Sequence, residues 1–144
     1  MPSTAMELPP WLGGGASGAS SSALLSGRDS VLFNPARAAV VVAHPDDEII
    51  GMGARLSRLR EARFIYVTDG APRNLLDAKA AGFTTREAYA RERSRERRAA
   101  LALAGIAPER IFEVGVADQE ASLHLAELAQ TLAKVFAEEQ TSIV

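Results

Sequence analysis

The chain has 144 residues, no cysteine and only two histidines, His44 and His124. Disulfides, thiol catalysis, cysteine-held zinc and iron–sulfur clusters are therefore excluded, and any bound metal must rest on imidazole and carboxylate donors. A net charge of -2, with 47% hydrophobic and 24% charged residues, describes a globular chain without the overall field that draws in nucleic acid or an anionic membrane.

Residues 1 to about 30 are rich in Gly, Ser, Ala and Pro and include the run Gly13-Gly14-Gly15-Ala16-Ser17-Gly18. Such a segment has too little apolar surface to offset its ordering entropy, so it reads as a flexible tail on which Trp11 and Leu12 are apolar docking points. No run approaches the roughly 20 apolar residues of a membrane span, and Met1 to Glu7 lacks the basic start of a signal peptide. With the missing cysteines, this suits a cytoplasmic protein.

From 31 to 144 the pattern is that of one α/β domain. Ala38 to Ala43 is a short continuous apolar run, as in a strand buried on both faces. Ile49, Ile50, Met52, Leu56 and Leu59 then recur at helical spacing, predicting a helix to about Glu61. Arg63 to Thr68 is a second strand ending in Asp69-Gly70, and Ala71 to Phe83 a long loop. A helix over Arg86 to Ala104 ends at Gly105, a fitting C-terminal cap. Arg110 to Val114 is a third strand, Ser122 to Glu139 an amphipathic helix, and Thr141 to Val144 the beginning of a fourth strand. Alternating strands and helices predict a Rossmann-like, doubly wound parallel sheet with helices on both faces, incomplete at the C-terminus. Ligands in such folds bind beyond the carboxyl ends of the strands. His44 to Glu48, Thr68 to Gly70 and Val116 to Gln119 all fall on that edge.

The run His44-Pro45-Asp46-Asp47-Glu48 stands directly after the first strand. One of its carboxylates could cap the next helix. Capping accounts for one acidic residue, not for three beside an imidazole. Crowded carboxylates repel one another unless a cation sits among them. His44 and Asp47, three apart across a strand-to-helix turn stiffened by Pro45, can converge on one ion. Asp46 then lies beside it, able to take a proton from a metal-activated water. Glu48 reads as a helix first-turn residue rather than a ligand, and Gly51-Met52-Gly53 lacks the rest of a phosphate-binding loop. His124, at the border of an apolar helix face, reads as structural. The six Arg and three Glu between Arg86 and Arg98 read as a solvated face with pairs such as Glu87 and Arg91. Tyr89 is the one aromatic residue among those charges, short of the interleaved pattern that nucleic-acid binding requires. Asp69 suits a turn with Gly70, and Arg73 in the long loop is within reach of a substrate.

Ala43-His44-Pro45-Asp46-Asp47-Glu48 resembles the signature of the PIG-L-like (LmbE-like) N-acetylglucosaminyl deacetylases. Thr68-Asp69-Gly70 and Arg93-x-x-Glu96-x-x-Ala99, leading to Ala104-Gly105-Ile106, extend the resemblance over Ala38 to Val144. The resemblance implies a Zn2+-dependent hydrolase, with iron or cobalt able to use the same donors, that removes an acetyl or related acyl group from an N-acetylglucosamine-type amino sugar or its conjugate. On it, His44 and Asp47 are metal ligands, Asp46 is the general base, and Arg93 and Asp118 contact substrate. The partner implied is a small-molecule amino sugar; neither the oligomeric state nor the rest of the substrate is specified.

The family's third ligand, a His in a later His-x-Asp-His motif, does not occur in the 144 residues, so the chain reads as a C-terminally truncated member. The alternative reading is a non-catalytic Rossmann-like module or interaction surface; a phosphoester-directed metal hydrolase is a third. Isothermal titration of this 144-residue chain with zinc is expected to show weak binding; submicromolar affinity would contradict the missing-ligand reading.

Overall fold

The computed structural model describes residues 34–144. The expected flexible tail, Trp11 and Leu12, and the expected start near Val31 lie outside the described residues. Asn34 opens the fold as a helix cap, its side chain accepting from the Ala36 N–H at 3.0 Å, before a single 3-10 turn over Pro35–Arg37. Strand β1 (Ala39–Val42) follows, then helix α1 (Asp47–Met52), strand β2 (Arg63–Pro72) and helix α2 (Leu76–Ala80). Helix α3 (Arg86–Leu103), strand β3 (Ile111–Asp118) and helix α4 (Leu125–Glu138) complete the order.

The three strands form a parallel sheet in the order β1-β2-β3. A parallel bridge between Ala38 and Ile143 adds the beginning of a further strand beside β1. Two crossovers therefore step one way across the sheet and the last steps back past β1. Because such crossovers are right-handed, the reversal puts α4 on the opposite face from α3. The side chains agree. Val135 of α4, with Leu132 and Phe136, packs on Ala39, Val41, Ile65, Phe112 and Val114. On the other face, the Arg97 guanidinium of α3 lies 4.1 Å from the centre of the Tyr66 ring. Register pairs Ile65 with Phe112 and Tyr66 with Glu113, so the period of two along a strand sorts these residues to the two faces. Phe64, Ile65 and Tyr66 are wholly buried, which explains why the run carries no polar alternation.

The fold departs from the sequence expectations in its boundaries. The helix expected to reach Glu61 breaks at Gly53 into a 3-10 stretch over Gly53–Arg58, a tighter winding that still buries Leu56. Strand β2 runs four residues past Thr68, to Pro72. The loop after it contains α2, whose first N–H, on Leu76, donates to the Asn74 side chain at 3.0 Å. Strand β3 reaches Asp118 instead of ending at Val114, and α4 starts after a 3-10 turn over Ala121–Leu123. The end of α3 came out as expected. The Ile106 N–H donates to the Leu101 carbonyl at 3.1 Å and the Gly105 N–H to the Ala102 carbonyl at 3.0 Å, the paired bonds of a Schellman cap. Among the described residues no helix is long and apolar enough to cross a membrane.

The Arg-rich helix is not simply a solvated face. Arg97 is 2% exposed, and burying a guanidinium costs several kcal/mol unless it is well partnered. Its partners are the Tyr66 ring, the Ser94 hydroxyl at 3.0 Å and the Glu113 carboxylate. Arg98 reaches the same Glu113 oxygen at 2.7 Å. Burial works to raise the Glu113 carboxyl, but the Arg98 hydrogen bond and the Arg97 and Arg98 charges outweigh it and hold it below its ordinary 4.5. A carboxyl depressed in the folded state contributes stability above its unfolded value and loses it as pH falls through the folded one. Replacing Glu113→Gln is therefore expected to flatten the thermal midpoint's dependence on pH below about 4.5, the ordinary value for this group, as checked by melting curves in acid.

Candidate metal-binding site at the carboxyl ends of the strands

The site is assembled where β1 stops. The Ala43 carbonyl accepts from the Thr68 N–H at 3.0 Å and from the Thr68 hydroxyl at 2.7 Å. These bonds tie the last point of β1 to β2 and send the chain into a tight turn. Within it, the His44 carbonyl accepts from the Asp46 N–H at 2.9 Å. Pro45 lies buried in the turn, directly against Gly70. A Cβ on Gly70 would stand 2.6 Å from Pro45 Cδ and 3.3 Å from Arg93 Nε, and the Gly70 φ of +67° is left-handed. Only glycine meets both demands.

Around this turn the side chains converge. Asp47 reaches back so that Oδ2 accepts from the His44 N–H at 2.9 Å. The same oxygen lies 3.5 Å from His44 Nδ1. The other ring nitrogen, Nε2, is 2.9 Å from Asp118 Oδ1. An ionised carboxylate only accepts, so Nε2 donates there and Nδ1 is the nitrogen turned toward Asp47. Asp118 also accepts from the Gln119 N–H at 2.7 Å. Asp46 turns elsewhere, its Oδ2 lying 3.1 Å from the Arg93 guanidinium.

Asp118 comes to His44 through an irregularity in β3. Tyr66 pairs with Glu113 but Thr68 with Val116, so β3 carries one extra residue there, around Gly115 at φ +83°. Such a bulge changes which face the later side chains take. Strict alternation from Glu113 would have pointed Asp118 the other way.

His44 and Asp47 suit a cation in kind and in spacing. Donors at about 2.0–2.2 Å from a tetrahedral zinc lie roughly 3.3–3.6 Å from one another, and the Nδ1 to Oδ2 separation is 3.5 Å. A metal-binding imidazole characteristically donates its second nitrogen to a carboxylate, which fixes ring and tautomer; Asp118 stands in that place. Among the described residues no group of three or more His, Asp or Glu is arranged around one point to hold an ion. The pair is in place and Asp46 and Asp118 are committed to Arg93 and His44.

The other residues singled out in the sequence fall at or away from this edge. Asp69 accepts from the Ala71 N–H at 3.0 Å, as a turn residue does, and also pairs with Arg86. Arg73 pairs with Glu120, whose carboxyl that hydrogen bond lowers. His124, expected on the helix, is the residue just before α4 and pairs with Glu127 in its first turn, at 2.7 Å. The expected Glu87–Arg91 pair is replaced by Arg86 beside Glu87 and Arg95 on Glu92.

Sequence reasoning placed Glu48 rightly in the first turn of the helix but missed its burial, and it missed Arg97. Glu48 is wholly buried on α1 next to Tyr66 and Arg97. Burial pushes its carboxyl up, and burial followed by the nearby Glu48 charge pushes the Tyr66 hydroxyl up as well. Arg97 had a signal: it lies one turn before Leu101, which is wholly buried, on the same helix face.

A family model described as PIG-L: GlcNAc-PI de-N-acetylase matches residues 39–144. No curated protein and no solved structure matches the chain.

Replacing Gly70→Ala is expected to force Pro45 and Arg93 apart and to destabilise the fold by about 1–3 kcal/mol, the usual cost of a clash together with a left-handed alanine. Denaturant unfolding measures it; an unchanged midpoint would mean that the turn yields freely.

Proposed function

We propose, from the premise that the chain belongs to the PIG-L family, that it is a metal-dependent hydrolase that removes an acetyl or related acyl group from an N-acetylglucosamine-type amino sugar. The observation that carries this reading is the His44 ring, anchored at Nε2 by Asp118 and presenting Nδ1 at 3.5 Å from Asp47 Oδ2. That arrangement suits a divalent cation better than it suits a helix cap, which would need neither the imidazole nor its second carboxylate.

His44 and Asp47 would hold zinc, or another divalent transition metal with similar donor preference. When bound, the metal supplies Lewis-acid chemistry, acidifying water and stabilising negative charge that develops on the amide oxygen. The chain's own part is proton handling and orientation. Asp46 takes a proton from the attacking water as the C–O bond forms at the amide carbon. It then returns that proton to the nitrogen as the C–N bond breaks, so acetate and a free amine leave. Arg93, paired with Asp46 at 3.1 Å, aims the carboxylate and is within reach of the sugar side of the substrate. Asp118 keeps the His44 ring fixed, a role that stands beside its expected contact with substrate. The resemblance implies one further ligand, a His of a His-x-Asp-His motif, to complete the three that a catalytic zinc takes.

Zinc content and acetate release measured on the full-length protein, purified without chelators, test the reading. Asp46→Asn is expected to keep the metal and lose about 10²–10⁴ in rate, the usual worth of a general base. Asp118→Asn is expected to weaken metal affinity about 10–100-fold. Full turnover in Asp46→Asn would remove Asp46 as the base, and a full-length protein without stoichiometric metal would overturn the proposal.

A further inference from the structure

Strand β3 leaves the sheet through a strained turn. Pro72 and Asp118 are the last register partners of β2 and β3. The Glu120 N–H then donates to the Ala117 carbonyl at 3.1 Å, closing a turn with Asp118 and Gln119 at its centre. Gln119 has φ +69°. The third position of such a turn is where glycine ordinarily supplies a positive φ. A glutamine there is strained, and it stays only when its surroundings hold it.

What the strain achieves is visible at Asp118. The Gln119 N–H donates to Asp118 Oδ1 at 2.7 Å, and the same oxygen lies 2.9 Å from His44 Nε2. An ordinary negative φ at Gln119 is reached by turning over the peptide between Asp118 and Gln119, the one that carries this N–H. The carboxylate would then lose the donor that holds it toward the imidazole. What holds the strain lies on the far side of the turn. Arg73, the first residue after β2, pairs with Glu120 at 2.5 Å, the two side chains 70% and 22% exposed. Backbone pairing at Pro72 and this ion pair at Glu120 thus bracket Gln119. An ion pair so open to water is weak, yet the penalty it has to outweigh, one left-handed residue, is a term of the same order.

We infer that Arg73 and Glu120 are positioning residues: their ion pair keeps Gln119 left-handed, and the Gln119 amide thereby keeps the Asp118 carboxylate on His44. Both act through Asp118. The consequence for metal binding rests on the hydrolase reading above; the coupling of turn to imidazole does not.

The test reads the His44 Nε2–H proton by nuclear magnetic resonance in the metal-free full chain at fixed pH, the signal being assigned by its loss in His44→Gln. A carboxylate partner slows that proton's exchange with water, and the rate follows how often the contact opens. Arg73→Gln and Glu120→Gln are each expected to speed exchange about two- to fivefold, the range that an exposed ion pair supports. Gln119→Gly takes a positive φ without strain. Added to Arg73→Gln, it is expected to bring the exchange rate back toward that of the wild type. An unchanged rate in Arg73→Gln, or a faster one that Gln119→Gly fails to reverse, would overturn the inference. Zinc affinity in Arg73→Gln is expected to fall by no more than the same factor, since only the competent fraction of the protein changes. A fall as large as the roughly 10–100-fold expected of Asp118→Asn would give Arg73 a direct part in the metal site, against a role through Asp118. A wild-type protein that binds no zinc would sink the hydrolase reading, while proton exchange still decides the coupling.

Discussion

The site depends on one constraint, the two hydrogen bonds that Thr68 donates to the Ala43 carbonyl at the end of β1, from its N–H and its hydroxyl. A parallel strand that ends in mid-sheet ordinarily leaves its last carbonyl to water. Here that carbonyl is claimed by both the backbone and the side chain of the neighbouring strand, and the chain must turn at His44. The turn has space only because Gly70, two residues after Thr68, offers no side chain to Pro45. Everything chemical follows from where this turn is pinned: His44 faces across to Asp118, Asp47 folds back onto the His44 amide, and Asp46 is left to meet Arg93.

The electrostatics divide cleanly between the two depths of the fold. At the open edge, opposite charges pair in partly solvated contacts such as Arg73 with Glu120 and Arg86 with Asp69. Such contacts contribute little stability and much local order. Beneath the edge, Arg97 is dry and depends on Tyr66 and Glu113. The first layer can rearrange around a ligand at low cost; the second cannot, because separating its charges would leave them without water.

How far the molecule could be read from its residues follows the range of the forces involved. The apolar run of β1 and the period of α4 are local patterns, and both came through. The crowded His-Pro-Asp-Asp-Glu turn was legible for the same reason: its conflict of charges is visible in consecutive residues. What was not legible required knowledge of a partner strand. Asp118 meets His44 across a register that shifts twice beyond Tyr66, once around Gly115 and once between Thr68 and Pro72, and such irregularities leave no periodic trace. Glu48 looked like one more acid in an acidic run, yet it is the one with no access to solvent. The six arginines of α3 look interchangeable in sequence; only the sheet beneath them separates Arg97 from its neighbours. The break of the first helix at Gly53 was masked by apolar residues that keep their spacing while the winding tightens.

Three arginines of α3, at 86, 93 and 97, meet Asp69, Asp46 and Tyr66 in turn, while Arg98 turns aside to Glu113. At about 100° per residue, steps of seven and eleven bring the helix back to within roughly 20° of its starting direction. The three contacts thus form a single seam, and its alignment is a matter of counting. Point substitutions along α3 disturb one stitch at a time. A single inserted or deleted residue between Arg86 and Arg93 would swing one end of the seam by more than a quarter of a turn relative to the other. The place for length variation in this part of the chain is accordingly the connection before Thr85, where no rotational register has to be kept.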